Sequence, residues 1–205
     1  RYRLNREKPV FLLSHSFGMK GLLGSEYNYN RTEFSYDQRF WLAYFGYVNL
    51  FFKATKVWND VPYTLLDVPD ASCSYTLKDR AFSLLDPVEF VCNQSITWDI
   101  SYHLNGLILN RIPLLNKLRL REFITFKGVW GTLSDESNPT KGENAGLFLF
   151  PSTSYELSKK PYMELGVGLD NVLKLFRISY VWRLTYKDHV GVPPHGFRFA
   201  LHLDF

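Results

Sequence analysis

Gly196-Phe197-Arg198-Phe199-Ala200-Leu201-His202-Leu203-Asp204-Phe205 is the stretch on which the fold class turns. Its odd positions are Phe197, Phe199, Leu201, Leu203 and Phe205, while Arg198, Ala200, His202 and Asp204 fall between them. Side chains of a β-strand alternate between two faces, so one face here is wholly apolar and the other mostly polar. The segment before it repeats the pattern. Phe176, Ile178, Tyr180, Trp182, Leu184 and Tyr186 lie opposite Arg177, Ser179, Arg183, Thr185 and Lys187, with Val181 the single apolar exception. The connection from Lys187 to Pro194 is polar and Pro-rich, which predicts an antiparallel hairpin.

The same period continues upstream. Ile96, Trp98, Ile100, Tyr102 and Leu104 alternate with Thr97, Asp99, Ser101, His103 and Asn105. Phe34, Tyr36, Phe40, Leu42 and Tyr44 alternate with Glu33, Ser35, Asp37 and Arg39. Over about 47–58, Val48, Leu50, Phe52 and Ala54 oppose Asn49, Lys53 and Thr55. Leu118, Leu120, Ile124, Phe126 and Trp130 oppose Arg119, Arg121, Thr125 and Lys127, with Glu122 breaking the apolar face. Met163, Leu165, Val167 and Leu169 face away from Glu164, Gly166, Gly168 and Asp170, and a weaker first strand covers about 9–17. These are about eight strands, most near the ~9–11 residues that cross a bilayer when tilted.

Alternation also describes a soluble β-sandwich. Three features favour a membrane barrel: bulky aromatics near the strand ends, full charges on the opposite faces, and the cost of such charges in a dry core. Composition agrees. Aromatics make up 17% of the 205 residues while mean hydropathy is only -0.17, as expected when lipid-facing and lumen-facing side chains cancel. The expected fold is therefore all-β, an antiparallel transmembrane β-barrel of which this is the C-terminal portion, with residues 1–205 forming one barrel unit. No run of 18 apolar residues occurs, so a membrane-spanning helix is not expected. A net charge of +4 is too weak and too dispersed for a nucleic-acid surface. The opening Arg1-Tyr2-Arg3-Leu4-Asn5 has no leader character, and an exported protein needs one, so the chain reads as a fragment.

Long loops are expected near 61–92, with a short helix at 79–86, and near 134–144. Asn105–Lys117 is too apolar for an ordinary loop and too short to span as a helix. Cys73 and Cys92 flank the first loop; an oxidising envelope permits a disulfide, but their spacing leaves bonded and unpaired states equally open.

Further motifs have a family likeness. Asn110-Arg111-Ile112-Pro113-Leu114-Leu115 with Lys117-Leu118-Arg119 and Leu133-Ser134-Asp135 is one. Pro161 through Asn171, with Phe176-Arg177 and Val181–Tyr186, is another, supported by Gly21–Ser25 and Val61-Pro62-Tyr63. They resemble the C-terminal barrel of a Bacteroidota outer-membrane family of unassigned function, whose members carry a carboxypeptidase-regulatory-like domain ahead of the barrel. The eight visible strands could close a barrel by themselves, but the resemblance implies more barrel upstream and roughly twice the visible strand number, even-numbered as in larger barrels. More distantly, the chain is similar to the surface-antigen superfamily of outer-membrane assembly barrels, but the Val-Arg-Gly-Tyr/Phe motif of that superfamily is absent. The terminal Phe205, with Phe197, Phe199, Leu201 and Leu203, resembles the signal read by the barrel-assembly machinery.

Candidate chemistry is sparse. No cofactor motif and no metal-ligand spacing occurs among the five histidines. Asp99, Ser101 and His103 share one strand face, yet residues two and four apart on a strand stand side by side and do not converge as a nucleophilic relay. Gly166-Val167-Gly168 is read as space for a bulky neighbour. The charges expected to face the lumen are Arg119, Arg121, Lys127, Arg177, Arg183 and Arg198 against Asp99, Glu164 and Asp204, with Glu33 and Asp37 alongside. Mutual pairing is the plainer reading of them; a basic track for an anionic solute is the sharper one. The function expected is a non-enzymatic scaffold, assembly or export component of a Gram-negative outer membrane. Its expected partners are membrane lipid, the assembly machinery and other envelope proteins. The alternative is a small-solute or nutrient transport barrel.

Overall fold

In the computed structural model, residues 7–78, 80–138, 148–157, 160–189 and 191–201 are described. Eight antiparallel strands follow one another as a meander: β1 Val10–Gly18, β2 Tyr29–Trp41, β3 Tyr47–Val57, β4 Gln94–His103, β5 Arg121–Thr132, β6 Tyr162–Val172, β7 Phe176–Arg183 and β8 His195–Leu201. Among the described residues, no strand pairs with another strand except its sequence neighbours, and β1 and β8 form the two edges, so the sheet is open and not closed into a barrel.

Burial is inverted relative to a soluble sheet. On β6 the buried positions are Tyr162, Glu164, Gly166, Gly168 and Asp170, while Met163, Leu165, Val167 and Leu169 are less covered. On β8, Arg198 is buried whereas Phe197, Phe199 and Leu201 are exposed. Arg183 is 0% exposed and Leu201 72%. The polar face is covered by the long connection between β3 and β4, residues 58–93. Val57, Val61, Leu66 and Val91 form one apolar cluster there; Phe82, Leu85, Phe90, Cys92, Val129, Leu157 and Tyr162 form another. The core thus sits between this connection and the sheet. We call the two sides the covered and the bare face.

Several expectations are corrected. Residues 80–86 form no helix. Their backbone groups bond to side chains of the sheet, so an internal helical ladder cannot form. The strand expected to run from Leu118 starts only at Arg121, because Arg119 has a φ of 49° and ends a turn. Leu42 and Tyr44 fall in the 42–46 turn, where Gly46 has a φ of 92° and an added Cβ would meet the His103 carbonyl. Leu184 and Tyr186 lie beyond the end of β7. The apolar stretch after β4 folds into single turns, Leu109–Arg111 and Pro113–Asn116. Cys73 is exposed, Cys92 is buried, and neither is bonded; burial pushes the Cys92 thiol well up, so it stays protonated.

Candidate functional site

β6, β7 and β8 carry Glu164, Arg183 and Arg198 on the covered face, and each binds the backbone of the connection. Glu164 accepts from the Ser83 and Leu84 amides at 2.9 and 2.7 Å and from the Tyr162 hydroxyl at 2.6 Å. Arg198 donates to the Ser83 carbonyl, with its Nε at 3.0 Å. Lys127 on β5 donates to the Ala81 carbonyl at 3.0 Å and lies 3.3 Å from Asp99. These are the groups that prevent residues 80–86 from coiling.

Arg183 is the centre of the clamp. Both of its terminal nitrogens donate to the Glu89 carboxylate, Nη1 at 3.0 Å, and Nη1 also reaches the Leu84 carbonyl at 3.1 Å. Its Nε reaches the Thr185 and Tyr186 carbonyls at 3.2 and 3.0 Å, and its guanidinium lies 4.7 Å from the Tyr162 ring centroid. His189 adds a third contact to Glu89 at 2.7 Å. Burial alone would push the Glu89 carboxyl up, but the hydrogen bonds from Arg183 and His189 outweigh it and hold the group below its ordinary value. A second clamp ties the start of the connection: Asp67, nearly buried, pairs with Arg31 at 2.8 Å and accepts from Ser95.

Starting at Glu164 and Lys127 and running towards the end of the sheet with the short 42–46 and 173–175 turns, the covered face opens into a cleft of about 710 Å³. Six cations (Arg39, Lys78, Arg80, Arg121, Lys127, Arg177) and four carboxylates (Asp37, Asp99, Glu164, Asp170) line it, an excess of two positive charges. Rings cross its floor from β2 to β5. Trp41 and Tyr47 have centroids 5.0 Å apart, Tyr47 and His103 stack at 4.6 Å, and His103 and Phe123 at 5.7 Å.

Of the charges expected on one face, Arg121, Lys127, Arg177, Arg183, Arg198, Asp99 and Glu164 do share the covered face. Arg119 does not: it is an exposed turn residue whose carbonyl accepts from Asn171 at 2.8 Å. Asp204, Leu203 and Phe205 lie outside the described residues; Phe197, Phe199 and Leu201 occupy the bare face of β8. Asp99 pairs with Lys127, Ser101 accepts from Asn49 at 3.4 Å, and His103 stacks between rings. Gly168 does make room for a bulky neighbour, since a Cβ there would meet the Phe123 ring at 2.4 Å.

Glu89, Asp67 and the rings Trp41, Tyr47 and Phe123 were not singled out from sequence. The signal for Glu89 was an apolar run on either side, Ala81–Leu85 and Phe90–Cys92, in a stretch read as loop. For the rings it was an aromatic in phase with the charged positions of its strand.

Residues 1–135 match the family described as "Family of unknown function (DUF5686) C-terminal domain". The chain belongs to this family. The DUF5686 C-terminal match takes in β1 to β5, the connection 58–93 and the motif of residues 110–135, and stops before the 161–186 motif. No curated protein and no solved structure matches the chain.

Proposed function

We propose that this DUF5686 chain is part of an integral β-barrel of a Gram-negative outer membrane, acting as a non-enzymatic scaffold, assembly or export component. Two observations support the membrane. Phe11, Leu13, Phe17, Phe34, Phe52, Ile124, Trp130, Trp182 and Phe197 all stand exposed on the bare face, whereas a soluble monomer rarely exposes contiguous apolar patches beyond a few hundred Å². The connections also differ by end: 19–28, 58–93, 133–161 and 184–194 at one end, the 42–46 and 173–175 turns at the other. Barrels of this type have long outer loops and short inner turns, although 104–120 departs from that rule. The Bacteroidota source, the distant surface-antigen relationship, strands upstream of β1 and recognition by the assembly machinery belong to the same proposal.

The scaffold reading is supported by the cover on the polar face of the sheet. The connection 58–93 is locked onto the polar face by Arg183–Glu89 and the Glu164, Arg198 and Lys127 bonds, which obstructs a pore on that side. The test is gentle detergent extraction of native membranes with sizing, joined to planar-bilayer recording of the purified protein. A defined larger assembly and no steady conductance are expected. A protein that runs alone and conducts steadily overturns the scaffold reading in favour of small-solute transport, the second reading, which the charged cleft supports.

A further inference from the structure

We infer that the open half of the covered face is a binding site for a small, multiply charged anion of the carboxylate or phosphate class, centred on Arg39 and the Tyr47 hydroxyl. Three guanidinium groups, Arg39, Arg121 and Arg177, and one carboxylate, Asp170, line this part of the cleft together with Tyr47. Asp170 is held by Arg177 at 2.5 Å. The other carboxylates of the cleft are also engaged: Asp37 with Arg80, Asp99 through one oxygen with Lys127 while its buried Oδ1 has no hydrogen-bond partner, and Glu164 with the Ser83 and Leu84 amides.

Arg39 differs from its neighbours. Its Nε donates to the Asn49 side-chain oxygen at 2.8 Å, and its guanidinium lies 4.2 Å from the Tyr47 centroid and 5.8 Å from that of Trp41. These partners are neutral, so its charge meets no carboxylate among the described residues. The Nε of Arg177, buried beside the same space, also lacks a partner. A guanidinium presents a planar fork of donors suited to two oxygens at once, and ring stacking holds that fork in place. Each of these features favours negative charge. A cavity of about 710 Å³ also falls in the size range of small-molecule sites, roughly 300–1,000 Å³.

The site stands on the geometry of the covered face and does not depend on whether the barrel scaffolds or conducts. The experiment is calorimetric titration of the full-length, detergent-solubilised protein with citrate, with pyrophosphate and with uncharged maltotriose. Saturable binding of citrate or pyrophosphate, weakened by added salt, is expected, with none of maltotriose; whichever anion binds more tightly separates the carboxylate from the phosphate case. Arg39→Gln should weaken that anion at least tenfold and Arg39→Lys less, whereas Lys56→Gln on the bare face should change nothing. If Arg39→Gln does not fold, Tyr47→Phe carries the same test with an expected severalfold loss. No saturable anion binding by the unaltered protein, or unchanged binding in the folded variant, overturns the site. Neither result alters the conductance or sizing outcome.

Discussion

Arg183 and Glu89 show what a buried charge does here. Neither is exposed to more than 1%, so each depends on the other for its compensation. Removing one partner of such a pair typically costs ~3–5 kcal/mol, because the remaining charge is left unsolvated. Arg183→Gln is therefore expected to lower the thermal midpoint sharply in detergent, followed by circular dichroism, and Glu89→Gln to do the same. The pair also sets a pH dependence. Because the folded carboxyl of Glu89 titrates below its ordinary 4.5, its contribution is complete above about that pH and is lost as the pH falls through the lower folded value. Acid unfolding of the unaltered protein should thus be steeper than that of Glu89→Gln; parallel curves would show that the pair is not the acid-sensitive element. Glu122 is another residue whose meaning is tertiary. It breaks the apolar face of β5 in the sequence, and in the fold it accepts the Leu109 amide at 2.5 Å, pinning the turn after β4. Gly168 is a third: Gly168→Val must displace both the Phe123 ring and the Ile178 carbonyl of β7, and overpacking of this kind costs about 1–3 kcal/mol, readable in the same melting experiment.

At the level of elements, the connection 58–93 behaves as an inserted layer joined to the sheet by side-chain-to-backbone bonds. One part of it also pairs as a strand. Leu77 donates to the Phe199 carbonyl at 2.7 Å and Phe199 donates to the Tyr75 carbonyl at 2.8 Å, so residues 75–77 cap the outer edge of β8. Free edges invite further pairing, and this cap occupies the position a closing strand would take. Leu77→Pro removes one of the two donors and should speed hydrogen exchange at the Phe199 amide. An unchanged rate would show that another strand holds the edge, as closure of a larger barrel requires.

For the whole molecule, the two faces of the sheet make opposite demands on solvent. The bare face presents Leu165 and Val167 on β6 beside Ile124 and Phe126 on β5, an apolar surface with little to gain from water. In a bilayer, a charge placed at mid-depth on such a face costs about 2–4 kcal/mol. Leu165→Arg is accordingly expected to destabilise the protein refolded into vesicles, with little effect if the face meets water instead. Lipids brominated along the acyl chain should quench the tryptophans of this face, Trp98, Trp130 and Trp182; unquenched emission would remove the membrane reading.

What the sequence determined by itself is the set of strands and the two faces of each, since period-two alternation follows from backbone geometry alone and needs no tertiary partner. Eight strands, the grouping of Arg121, Lys127, Arg177, Arg183 and Arg198 on one side, and the hairpin of β7 and β8 could all be read from it. The ends of strands were less legible: Leu118, Leu42 and Leu184 keep the period, but a positive φ or a new bonding partner stops the ladder before or after them. What only the tertiary structure decided is what lies against the polar face. Residues 58–93 carry no period, and their conformation is set by cations and a carboxylate from strands some 46 to 115 positions away along the chain, which satisfy their backbone one group at a time. The same packing divides the covered face into a filled half and an open one. Contacts of that separation leave no local trace, because the free energy that fixes them appears only when both partners have been buried together.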